Sequence, residues 1–319
     1  MSPTSEQQEY VHDNRTERSM NGTFHFASPE EFHVVAWVQI LSLLIALVGL
    51  VGNGLVLWLL GFCIQRNHFS VYILNLAGAD ALFLSCHFLM IINDFVQDFY
   101  FSLISKIAFY IRYLSYTVGL TLLATISTER CLSVLFPVWY RCHRPKHTST
   151  TVCAVLWVLA TLFEITFFVV CNHVDTKKFC IDFLIIEFVW FLLFTPLMCG
   201  SSLILLLRVQ CSFQRQQPPR LYLLVLLTVF VFLLCGLPMG ISGFILRFHR
   251  VSILLWLPWP LACVNSSANP IIYFFLGIQR HKRKRDPLKV VLQRALGDDQ
   301  ELEEETEDTP NITSPEASL

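Results

Sequence analysis

Apolar positions fall in seven long runs separated by short polar stretches. Val34–Gly61 carries no charged residue, Ser70–Ile92 carries one (Asp80), and Ile107–Ser127 carries one (Arg112). Thr148–Val170 holds Glu164, Phe183–Leu207 holds Glu187, and neither Leu221–Leu246 nor Val251–Gly277 holds any. Each run reaches the roughly 20 residues that a bilayer's hydrocarbon core requires. No water is available there to satisfy the backbone, so each run must be helical. The pattern predicts an all-α membrane protein, with a bundle of seven transmembrane helices over residues 34–277. Composition agrees: 54% of the 319 residues are apolar, 15% are charged, and mean hydropathy is +0.55. A soluble protein carries about 25% charged residues. A soluble enzyme, a disulfide-stapled secreted domain and a disordered chain are therefore excluded. The eleven cysteines include no C-x-x-C pair, so no zinc module is indicated.

Seven spans put the two termini on opposite sides, and the Lys/Arg bias chooses between them. With the N-terminus outside, fifteen basic residues face the cytosol and seven face outward, with Arg112 inside a span. The sequons at Asn14 and Asn21 then lie outside, as glycosylation requires. Residues 1–33 form a polar extracellular tail, and no apolar segment there reads as a cleavable signal peptide. Residues 278–297 begin with a basic cluster, Arg280–Arg285, followed by Asp286-Pro287 as a helix start. Leu288, Val291, Leu292, Ala295 and Leu296 then share one helical face. The pattern predicts an amphipathic helix on the inner membrane surface, attracted to anionic lipid; a plain cytosolic amphipathic helix is the alternative. Residues 298–319 are acidic and are expected to stay disordered, with Ser and Thr residues as candidate phosphosites.

Ionisable groups within spans are costly and are functional candidates by default. Around them stand Gly52-Asn53, Leu76-Ala77-Gly78-Ala79-Asp80, Glu129-Arg130, Trp157, Pro196, Pro238 and Asn269-Pro270-Ile271-Ile272-Tyr273. Together and in this order, over about residues 34–296, they resemble a rhodopsin-like G-protein-coupled receptor. Ile126–Leu135, Trp139–Pro145, Asn265–Phe274 and Val290–Leu296 are similar to the Mas-related receptors in particular. The departures fit that subfamily. No cysteine lies within residues 100–110, Gly236 stands where a tryptophan is usual, and Cys131 follows Glu129-Arg130 in place of tyrosine.

The resemblance implies roles for individual residues. Arg130 would hold Glu129 and sixth-span contacts at rest and swing to a G protein on activation, with Pro238, Asn269, Pro270 and Tyr273 serving the rearrangement. Cys171 and Cys180 would form a disulfide. Asn53, Asp80, Asn265, Ser266 and Asn269 would form a polar core suited to a sodium ion or a water cluster. Gly119 stands where many relatives have serine, which removes one oxygen ligand and leaves a hydrated or protonated Asp80 as the alternative. No other cofactor and no metal site is expected, because His143 and His147 alone supply only two ligands. Some Mas-related receptors hold cationic peptides with acids at the fourth-span end and just after the cysteine that Cys180 matches; Asp182 is the better match, whereas Glu164 departs from the family's distance to Cys171.

Arg112 lies five helical turns from Arg130 and on the same face, about 27 Å nearer the outside. Amine receptors keep an aspartate there, so a cation argues against a monoamine ligand. It would either bind a ligand carboxylate or phosphate, or pair structurally with Glu164 or Glu187. Tyr113, Phe244, Trp256 and Trp259 are candidate pocket aromatics, or else packing and interface anchors. The reading is a plasma-membrane receptor, not an enzyme. It transduces an extracellular peptide or small ligand to a heterotrimeric G protein of the Gq or Gi class, with arrestin as a further partner through the tail, membrane lipids around it, and no nucleic acid. An orphan or constitutively active receptor is the main alternative. A small transporter, which would need a polar pathway through several spans, is a distant one.

Overall fold

The computed structural model describes residues 29–65, 67–96, 101–145, 147–173, 177–212, 220–248, 257–278 and 287–296. Seven of its helices are long and apolar enough to cross a membrane: His33–Cys63, His68–Asn93, Ile104–Leu135, Thr148–Val170, Phe188–Arg208, Tyr222–Ser242 and Pro258–Ile278. They are the seven runs predicted above, and we number them as spans one to seven. No strand occurs among the described residues.

The third span runs eight residues past Ser127, the last residue of the apolar run, because its polar side chains satisfy themselves locally. Thr125, Thr128 and Ser133 each donate a hydroxyl to a backbone carbonyl three or four residues back. A short helix, Pro137–Cys142, follows the third span, with proline in its first turn where a missing N–H costs nothing. Asn67 starts the second span by accepting the Ser70 N–H on its side-chain oxygen at 2.6 Å. The final helix, Leu288–Ala295, begins one residue later than expected, with the Pro287 carbonyl accepting from Val290 and Val291 N–H.

The third span is central and packs against the second, fourth, fifth and sixth. The second and fourth are tied by Trp157, whose indole N–H donates to Asn75 Oδ1 at 3.1 Å. One continuous apolar core reaches from Val56 and Leu60 through Leu122 and Phe232 to Tyr273, Leu292 and Leu296. The amphipathic face of the last helix is thus covered by the bundle from Val291 to Leu296, while Leu288 stays exposed. Gly277 faces the Val291 backbone so closely that a Cβ would collide with it. The outward faces of the first and fourth spans carry exposed apolar residues such as Trp37, Val48, Val51, Val158 and Leu162, as lipid contact requires.

Candidate functional site

Three polar clusters interrupt this apolar bundle. The inner one gathers around Glu129. Its Oε2 accepts from the Tyr140 hydroxyl at 2.8 Å and pairs with Arg144 at 3.0 Å, and its Oε1 accepts from Tyr72 at 3.2 Å. Arg144 also donates to Ser149 Oγ at 2.7 Å. Burial disfavours the Arg144 charge, yet the bond to Glu129 outweighs it and holds the guanidinium above its ordinary range. Burial, reinforced by the same carboxylate, raises the Tyr140 phenol. This corrects the implied Glu129–Arg130 pair. Glu129 is held by Arg144, whereas the Arg130 guanidinium lies over the Phe69 ring at 4.2 Å. Adjacent residues on a helix point about 100° apart. Glu129 therefore turns toward the loop helix while Arg130 turns along the second span.

The middle cluster surrounds Asp80, which is 4% exposed. Asn269 donates its amide to Asp80 Oδ2 at 2.7 Å. Asn53 donates to Gly49 O at 2.9 Å and to Ser266 O at 3.1 Å, joining the first and seventh spans. The amide oxygens of Asn53, Asn265 and Asn269 and the Tyr273 hydroxyl are buried with no hydrogen-bond partner among the described residues. A carboxylate with several unsatisfied oxygens is a donor set for a hard cation or for water. A Cβ added at Gly119 meets nothing within 4 Å, so no neighbour fills the space beside that position.

The outer cluster is organised by Arg112. Only 5% of it is exposed. Its guanidinium sits 3.3 Å from the centroid of Trp259 and 5.8 Å from that of Phe109. Its Nη1 is 3.3 Å from His87 Nδ1, and His87 Nε2 is 3.1 Å from Ser42 Oγ. A guanidinium only donates, so His87 Nδ1 accepts and Nε2 carries the hydrogen given to Ser42. Ser42 in turn donates to Gln39 O. The relay crosses from the third span to the first, with Trp259 of the seventh stacked on its cationic end. Tyr113 packs edge-on against Trp259 at 5.4 Å and tilted against Phe109 at 4.8 Å.

Of the predicted residues, the structure brings together Asp80, Asn53, Ser266 and Asn269, and places Arg112 with Tyr113 and Trp259. Glu164 is buried, at 5% exposure, in the fourth span. Pro270 lies where the first and seventh spans touch, its Cβ 3.0 Å from where a Gly52 Cβ would stand. Pro238 lies two residues beyond a π-helical turn of the sixth span, Phe232–Gly236. The side chains of Cys171, Cys180, Asp182, Glu187, Phe244 and Trp256 lie outside the described residues, as do Asn14 and Asn21. Sequence reasoning missed Tyr72, Tyr140 and Arg144 as partners of Glu129, and His87 as the neighbour of Arg112. A lone histidine inside a span was the one available signal for the latter.

Residues 52–273 match the model of the family described as 7 transmembrane receptor (rhodopsin family). Over 282 residues the chain is 45% identical to Mas-related G-protein coupled receptor member X1 of Homo sapiens, covering 84% of this chain and 85% of that protein. It is 47% identical over 283 residues to member X2 of Pongo pygmaeus, covering 82% and 84%. With member A1 of Mus musculus it shares 45% identity over 273 residues, covering 82% and 89%.

Proposed function

Because the chain belongs to the Mas-related receptors of the rhodopsin-like G-protein-coupled family, a multi-pass protein of the plasma membrane, we propose that it couples an outer-half ligand site to a Gq- or Gi-class G protein through Arg130. The observation that carries this reading is the division of labour at the inner end. Glu129 is tied to the loop helix by Tyr140 and Arg144, and Arg130, among the described residues, rests on an aromatic ring rather than in an ion pair. A stacked cation is exchangeable at a cost of about 1 kcal/mol, which suits a group that moves to a partner. The N-terminus is outside on this reading, with Asn14 and Asn21 glycosylated and Cys171 bridged to Cys180. The Ser- and Thr-containing tail serves arrestin, and the basic segment 280–285 contacts anionic lipid.

Two responses test the coupling: calcium and cAMP in transfected cells, against a panel of cationic peptides and a panel of anionic small ligands, with Arg112→Ala beside the wild type. The stacking of Arg112 on Trp259 favours a structural role for it, with Glu164 and Asp182 as the acids facing a cationic ligand. A cationic-peptide response that survives Arg112→Ala is the expected result. An anion response lost in the mutant would make Arg112 the ligand anchor instead.

The inner ion pair acts as a restraint. Replacing Arg144 by methionine keeps the hydrophobic stem but removes the partner of a shielded carboxylate. Ligand-independent signalling is expected to rise about threefold, the worth of roughly one charge-assisted hydrogen bond shared between two arrangements. Basal second-messenger levels per surface receptor, unchanged from wild type, would refute it.

The polar core holds water or sodium, with Asp80 supplying the charge and Asn53, Asn265, Ser266 and Asn269 the neutral oxygens. Gly119→Ser adds a hydroxyl into space that is open in this structure. Melting in sodium chloride and in choline chloride should differ more for the variant than for the wild type. An identical salt response of the two proteins would argue against an ion at Asp80.

A further inference from the structure

The sixth span changes its winding halfway along. Phe232–Gly236 forms a π-helical turn, in which the Leu237 N–H donates five residues back to Phe232 O. Pro238 follows and lacks an N–H to return to the preceding turn. Breaks of this kind are where helices bend. Gly236 and Gly240, one turn apart, leave two positions of this stretch without side chains. Phe232 covers the first and Phe191 of the fifth span covers the second, each lying where a Cβ would be. Tyr116 of the third span enters the break and donates its hydroxyl to Gly236 O at 3.1 Å. Beside this bond lies a cavity of about 20 Å³ lined by Tyr116, Thr117, Leu120, Trp190, Phe191 and Gly240. That is room for about one water, and the Trp190 indole N–H is buried with no hydrogen-bond partner among the described residues.

We propose that Tyr116 is a positioning residue, a latch on the hinge of the sixth span. While its hydroxyl holds Gly236 O, the inner half of the span stays against the third. When that bond breaks, the hinge is freed, and the adjoining water-sized cavity leaves the ring edge room to shift off Gly236 O. The bond is made at the point of the span where the α-helical winding is broken. It takes the place of an aromatic switch on the sixth span itself, which Gly236 cannot supply. Tyr113, one turn above Tyr116 on the same helix, packs on Trp259, so a ligand that disturbs the outer aromatic cluster has a packed route to the latch. The proposal rests on the receptor reading above.

Tyr116→Phe removes the hydroxyl and keeps the ring. Two measurements on the full-length variant test the latch: deuterium uptake over residues 220–248 in detergent micelles, and ligand-independent activation of Gq- and Gi-class sensors per surface receptor. Arg130→Ala is run in parallel. Faster uptake with a rise in basal activation of about threefold to tenfold, the population shift carried by one ordinary hydrogen bond, is expected. Unchanged uptake overturns the latch, whatever the signalling does. Faster uptake with wild-type signalling, in cells where Arg130→Ala loses signal, overturns its control of activation. If Arg130→Ala also signals as wild type, the receptor reading fails while the hinge contact stands. A hydroxyl that merely stabilised the fold would lower the melting temperature and move neither readout.

Discussion

Arg130→Ala is expected to reduce G-protein activation at least about tenfold, a loss of ~1.4 kcal/mol in coupling, while the protein reaches the cell surface in wild-type amount. The two halves of this expectation have separate physical grounds. Folding survives because the substitution orphans no acid. Glu129 keeps Arg144, Tyr140 and Tyr72, and alanine gives up the stacking of a cation over the Phe69 ring, worth about 0.5–1 kcal/mol. Signalling fails because a methyl group cannot reach the cytosolic partner or donate to it. Activation of G-protein sensors should be read together with surface labelling. Normal signalling from the mutant would remove Arg130 from the coupling path and with it the central assignment. Loss of surface protein would instead show that the stacked guanidinium is a structural group.

Gly49→Val should remove most of the receptor from the surface, while Gly54→Val, five residues on in the same helix, should be tolerated. Gly49 sits where the first, second and seventh spans meet. A Cβ there would overlap the Ser267 hydroxyl, and would lie 2.8 Å from Ser267 Cβ and 2.7 Å from Leu84 Cδ1. Ser267 is held in place because its hydroxyl donates to Ile45 O at 3.1 Å. One turn below, Asn53 bonds Gly49 O within its own span and Ser266 O of the seventh, so parting the spans breaks the Asn53–Ser266 bond as well as the Ser267–Ile45 bond. Overpacking by one or two carbons costs about 1–3 kcal/mol, and breaking the two hydrogen bonds adds about 1 kcal/mol each. That is a large part of a marginal stability. A Cβ at Gly54, by contrast, meets nothing within 4 Å. Surface labelling of the two mutants checks the contrast, and equal expression would show that the first span is free to shift.

The spans were legible because a membrane imposes one rule along the whole chain: charge is expelled from about 20 consecutive residues. That rule located every span, but the apolar run of the third stops at Ser127, whereas the helix continues through Glu129 and Arg130 to Leu135. The polar core was legible through Asp80, since a carboxylate in a span needs company and Asn53 and Asn269 supply it. The inner cluster was not. Tyr72, Tyr140 and Arg144 reach Glu129 from another span and from a loop, and nothing in their spacing distinguishes them from other polar residues at the membrane edge. The same holds for Tyr116, which reads as one aromatic among many until the Gly236 carbonyl, at the break in the sixth span, gives it a destination.

The direction of the Arg112 relay bears on how this outer half can evolve. Every hydrogen bond in it runs one way, from the guanidinium through His87 to Ser42 and Gln39 O. An aspartate at position 112 would accept where arginine donates. It would reverse the demand on His87, leave Trp259 stacked on an anion, and strand a buried charge. Amine recognition built on a third-span acid is therefore not one substitution away. Intermediates that change Arg112 alone would be less stable than either end point, so this position is bound to its neighbours in the first, second and seventh spans and can change only together with them.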